Sequence, residues 1–177
     1  MFSKEELGDI YNEYVDKIYR FVFFKINSHE LAQDLTAETF TKVFEYLTRT
    51  KSGEREISNM GAFIYSSARN IVTDYYRKRS KAILLLGESD MSLINRESPS
   101  ARSADFNILQ IDSFEEIRNA MSRLSDTHRE IVTLYYIEEM SANEISGIMG
   151  KPEGTIRVAL HRALKELRKE LRSGSEV

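Results

Sequence analysis

Two stretches of this sequence carry residue types that suit a polyanion. In AFIYSSARNIVTDYYRKRSK (62–81), Tyr65, Arg69, Thr73, Tyr76 and Arg77 recur at helical steps on a face distinct from the apolar stripe, and Lys78, Arg79 and Lys81 follow. Aromatic rings stack on unpaired bases, at about 1–3 kcal/mol per base, while Arg and Lys hold the backbone. Asn70 brings an amide with a donor and an acceptor, suited to the edge of a flipped base. In GTIRVALHRALKELR (154–168) and the four residues after it, Arg157, His161, Lys165, Arg168 and Arg172 recur at steps of 4, 4, 3 and 4. A helix entering a major groove with this face forward sets Arg157, Val158, His161 and Arg162 near base edges. Thr155 adds a hydroxyl at its N-terminus, where amides attract phosphate, and Lys165 lies further along.

A third group is acidic. Asp34, Ala37, Glu38, Thr41 and Glu45 share one side of a predicted helix. The Asp34–Glu38 pair stands one turn apart, a spacing open to a metal or to acid–base chemistry. His29 is the only His within five residues of it, no third carboxylate ligand is placed, and the chain has no Cys. The sequence therefore calls for no catalytic residue, no metal and no cofactor, and the expectation is that this is not an enzyme.

The elements that must position these residues are helices. The chain has 177 residues, 41% of them apolar and 30% charged, with only two Pro. The expected fold class is all-α: two small helical domains joined by a flexible linker, the C-terminal one a helix-turn-helix. Apolar periodicity predicts helices over 4–26, 29–48 and 60–80. Residues 82–112, with Gly87 and the Ser-rich NRESPSARS, read as the linker. S/T-x-x-E boxes at 113–116, 127–130 and 141–144 predict three further helix starts, near 114, 127 and 142. Gly150 and Pro152 then separate a short helix, 142–149, from a longer one, 153–172. The expected domains are 1–81 and 113–177, with 82–112 between them.

Charge follows the same division. The net charge is −3, but residues 61–82 carry five basic and one acidic group, and residues 151–172 carry seven and three. Binding responds to the local field within a Debye length of about 8–10 Å, so two cationic patches on an acidic body remain compatible with nucleic acid. Each patch alone also fits a plain alternative: an ordinary helical bundle with a solvated, amphipathic end helix. A stand-alone DNA-binding regulator and a module for acidic protein partners are open as well. The longest apolar runs are about four residues against the roughly 20 of a membrane span, and MFSKEELGDIYNEY is no signal peptide. This predicts a cytoplasmic protein with no membrane insertion.

Three segments in order carry a resemblance. DLTAETFTKVF (34–44), AFIYSSARNIVTDYYRKR (62–79) and LSDTHREIVTLYYIEEMSANEISGIMGKPEGTIRVALHRALKELR (124–168) resemble bacterial RNA polymerase sigma factors of the extracytoplasmic-function (ECF) group of the sigma-70 family. The resemblance implies core RNA polymerase and promoter DNA as partners, and an anti-sigma factor as a third. It implies that Asp34, Glu38 and Thr41 dock on the polymerase. Thr155, Arg157, Val158, His161, Arg162 and Lys165 would hold the −35 duplex. Tyr65, Arg69, Asn70, Tyr76, Arg77, Lys78 and Arg79 would hold the melted −10 strand, with loop 49–59 accepting a flipped base. Ala37 stands where the family often has Gln, and Val158-Ala159 where a Ser and a basic residue are common; the latter implies an altered promoter preference.

Overall fold

A computed structural model describes residues 2–49, 57–86 and 108–174. The chain divides into two compact units, Met1–Ala101 and Arg102–Val177. In the first unit, α1 (Lys4–Ile26), α2 (His29–Arg49) and α3 (Met60–Leu86) pack against one another. Ser3 opens α1 with a capping box: its hydroxyl accepts from the Glu6 amide at 3.1 Å and its own amide donates to the Glu6 carboxylate at 2.7 Å. Asn27 closes α1 in the left-handed region, φ 59°, and donates its amide to the Phe23 carbonyl at 2.7 Å. That single residue turns the chain into α2.

The core sits at the C-terminal half of α1. Phe21, Val22, Phe23 and Phe24 are all buried, so this end of α1 is covered on every side. Leu35, Phe40, Val43 and Leu47 of α2 meet it, with Ile64, Tyr65, Ala68, Ile71 and Val72 of α3. Two buried threonines of α2 stay satisfied without leaving their helix. Thr36 donates to the Ala32 carbonyl and Thr39 to the Leu35 carbonyl, both at 2.7 Å. α3 runs to Leu86, six residues past the end predicted for it. Ala82 and the apolar run Ile83–Leu86 are good helix formers, and the first breaker is Gly87.

The second unit holds α4 (Ile108–Arg123), α5 (Asp126–Val132), a π-helical turn (Thr133–Ile137), α6 (Ala142–Met149) and α7 (Glu153–Gly174). Two of the three predicted starts move. α4 begins at Ile108, so Ser113 lies inside the helix and SFEE is not its cap. α5 is capped by Ser125, whose hydroxyl accepts from the His128 amide at 3.4 Å, not by Thr127. The third is as predicted: Ser141 and Glu144 form a full capping box at the start of α6. Residues 87–107, most of the expected linker, lie outside the described residues.

Two stability outcomes follow from these caps. Asn27→Ala should cost about 1 kcal/mol in denaturant unfolding while Asn27→Gly costs little, because only Gly and Asn occupy the left-handed region readily. Hydrogen bonds from the Ser141 hydroxyl and then the Ser141 amide hold the Glu144 carboxyl below its ordinary pKa. The contribution is present above the ordinary carboxylate range and is lost as pH falls through the lowered value. An acid titration followed by circular dichroism should therefore show part of the acid loss of helix disappear in Glu144→Gln.

Candidate nucleic-acid interface

The C-terminal interface is built around a tight turn. Gly150 ends α6 at φ 63°, a conformation that L side chains adopt with strain. Ser146 then ties the turn together: its carbonyl accepts from the Lys151 amide at 3.3 Å and its hydroxyl donates to the Lys151 carbonyl at 2.7 Å. Pro152 fixes the entry to α7, and its carbonyl accepts from the amides of Thr155 and Ile156. α7 buries Ile156 and Ala163 completely, with Leu160, Leu164, Leu167 and Leu171 half-buried beside them. Thr155, Arg157, Val158, His161, Arg162 and Lys165 are all exposed on the other side. Val158, at 52% exposure, is a free apolar contact among cations.

Two acids of α7 are turned to the body of the unit. The His128 imidazole donates through Nδ1 to the Glu166 carboxylate at 2.5 Å, and Arg123 lies 3.5 Å from Glu170. A third basic residue of the same body, Arg129, donates to the Met121, Ser122 and Leu124 carbonyls at 2.9, 2.8 and 3.1 Å. It binds carbonyls at and just past the C-terminal end of α4, where the Met121 carbonyl also accepts from the Leu124 amide at 3.2 Å. Sequence reasoning passed over this role; Arg129 stands in a charged run with no periodicity to mark it.

The first unit places its candidate residues less uniformly. Asn70, Thr73, Arg77 and Lys78 are exposed on α3, and Arg69, Tyr76 and Arg79 are half-buried. The Tyr76 hydroxyl donates to the Lys25 carbonyl at 3.1 Å, near the end of α1, which fixes the ring at the edge of the bundle. Arg79 donates to the Tyr75 hydroxyl at 3.2 Å, and Arg77 pairs with Asp74 at 3.1 Å. Tyr65 does not join this face. It is 0% exposed and packs edge-on against Phe21, ring centroids 5.4 Å apart, so no base can stack on it. The reason is the width of the buried sector. α3 packs against both α1 and α2, and Tyr65 stands one turn from the buried Ala68 and two from Val72.

On α2, Asp34, Ala37 and Thr41 are exposed and Glu38 partly so, opposite the buried side. Glu38 pairs with Lys42 at 2.6 Å, and Thr41 donates to the Ala37 carbonyl at 2.9 Å. Of the acidic pair, Asp34 is thus the more open group. Within loop 49–59, residues 50–56 lie outside the described residues.

A helix-turn-helix whose second helix shows a cationic outer face defines a helical DNA-binding protein. The Sigma-70 region 2 family pattern matches residues 10–82, and the Sigma-70, region 4 pattern matches residues 114–167. The chain belongs to the sigma-70 family of RNA polymerase sigma factors, in its extracytoplasmic-function group, and carries regions 2 and 4. It is similar to the ECF RNA polymerase sigma factor BldN of Streptomyces coelicolor, at 30% identity over 92% of this chain and 59% of that protein. It is also similar to the ECF RNA polymerase sigma factor SigM of Bacillus subtilis, at 29% identity over 92% of this chain and 93% of that one. This chain thus spans somewhat over half of BldN and nearly all of SigM. Among solved structures, the sigma factor RpoE of Bartonella quintana, crystallised with the anti-sigma factor NepR, matches with a TM-score of 0.76. At 22% identity over 95% of this chain and 98% of that one, the likeness is of fold. Sigma factors are non-catalytic subunits of RNA polymerase.

The burial of Tyr65 has a direct consequence. Tyr65→Ala should lower unfolding free energy by about 3–5 kcal/mol, the range for emptying an aromatic core site, measured by denaturant titration. Loss of DNA contact with unchanged stability would return Tyr65 to the interface.

Proposed function

We propose that this chain directs core RNA polymerase to promoters by gripping two elements in different strand states. Domain 113–177 holds the −35 duplex, with Arg157, Val158, His161 and Arg162 over base edges and Thr155 and Lys165 toward phosphates. Domain 1–81 holds the melted −10 strand on Arg69, Asn70 and Tyr76, with Arg77, Lys78 and Arg79 along the backbone. Asp34, Glu38 and Thr41 dock on the polymerase, and residues 82–112 connect the two domains. Duplex opening costs on the order of 1–2 kcal/mol per base step, and capture of unpaired bases must offset much of it.

One observation carries this reading. Every residue assigned to the −35 duplex is exposed on one side of α7, while Ile156 and Ala163 anchor the other. An anti-sigma partner is proposed on the same footing: the relatives of like fold were crystallised with NepR and with the cytosolic domain of CnrY. A cytoplasmic location is proposed with it. No helix among the described residues is long and apolar enough to cross a membrane.

Run-off transcription with purified chain and core polymerase on a promoter library tests the function. Initiation from a defined promoter subset is expected. Equal activity with and without the chain on every template rejects it. Arg157→Ala should reduce −35 discrimination by about 1–3 kcal/mol. Asn70→Ala combined with Tyr76→Ala should weaken permanganate reactivity of the melted strand more than duplex binding; undiminished reactivity removes those two residues from strand capture.

A further inference from the structure

Arg157 does not stand alone at the front of α7. Glu153, one turn earlier, accepts from Arg157 Nε at 3.0 Å and from Nη2 at 2.6 Å, both on the same carboxylate oxygen. The pair is exposed, at 70% for the Arg157 side chain and 39% for Glu153. An exposed pair four residues apart contributes little to helix stability. Its geometric effect is larger. A guanidinium carries five N–H donors on two usable edges. Glu153 occupies the side edge, formed by Nε and Nη2. The end edge, formed by Nη1 and the second Nη2 hydrogen, remains for an outside acceptor. That end fork is a pair of parallel donors able to match the paired acceptors of guanine in a major groove.

We infer that Glu153 is a positioning residue: it holds Arg157 by its side edge so that the end edge is presented to the −35 duplex. The inference rests on the reading of Arg157 as a base reader. It explains why an acid occupies the DNA-facing end of a cationic helix. A carboxylate there repels phosphate, so Glu153 weakens attachment to DNA of any sequence. In exchange it limits the orientations of Arg157, which sharpens the difference between right and wrong bases.

The test uses holoenzyme assembled from the full chain and a bacterial core polymerase. Templates are selected from a library randomised over the −35 element, and base preference is read at each position. Arg157→Ala is expected to flatten preference at one or two positions. Glu153→Ala should flatten those same positions about three- to tenfold, leave the others unchanged, and raise binding to random DNA. Glu153→Gln, which keeps an acceptor oxygen, should restore part of the preference. In an Arg157→Ala background, Glu153→Ala should add no further loss. A role limited to helix stability predicts uniform weakening at all positions and equal losses in both backgrounds; either result overturns the inference, as does an unchanged profile in Glu153→Ala. If Arg157→Ala itself leaves the profile unchanged, base reading by Arg157 fails and the positioning role falls with it.

Discussion

The constraint on which the second unit depends is that α7 must be held from one side only. Its 22 residues carry basic groups along most of their length, and any body wrapped around them would bury unpaired charge. The chain meets this with a narrow apolar stripe and with acids used as fasteners. Ile156 and Ala163 are wholly buried. Glu166 accepts from His128 and Glu170 lies near Arg123, so two of the acids of α7 face inward to cations of the body. The arginines and lysines are thereby left outward. Removing a body-side partner would do more than loosen the fold: it would free a carboxylate to fold back on the cationic strip.

α3 solves a related problem in the opposite way. It lies against two helices, so its buried sector is wide and its free face is narrow. Aromatic residues on such a helix are sorted by position. Tyr65 falls inside the sector and becomes core, and Tyr76 falls on its boundary and is half-buried. Its hydroxyl, donated to the Lys25 carbonyl, removes the freedom that an exposed tyrosine would otherwise have. A ring already fixed loses less entropy when a base stacks on it. The same bond joins α3 to the end of α1, so the candidate capture face is tied to the buried end of that helix.

Much of this was legible in the sequence, and the misses have physical causes. The bounds of α1 and α6 follow from periodicity closed by a left-handed residue, Asn27 and Gly150. Capping boxes were a weaker guide. S-x-x-E at 141–144 is a true start, and so is the one at 3–6, whereas the pattern at 113–116 sits within a helix. Glu is common in helices, and the pattern fixes a start only where the first residue leaves helical geometry, which composition does not report. Tyr65 was misplaced because a one-face stripe assumes one packing partner. Glu153 lies outside the cationic periodicity of α7, and its only mark in the sequence is the E-x-x-x-R spacing to Arg157.

The acidic character of the whole chain then acquires a different meaning. Net charge of −3 sets behaviour at distances beyond the Debye length, where the protein is repelled weakly by any polyanion. Within about 8–10 Å, the outward face of α7 and the free face of α3 dominate instead. Long-range repulsion with short-range attraction favours contacts in which a cationic face is brought close by something else, and it disfavours roaming on bulk DNA. A subunit delivered to its template by a larger partner has use for that balance. A regulator that must find its site unaided is better served by a basic whole. The segregation of charge, more than its sum, is therefore what connects this sequence to work done in company with the polymerase.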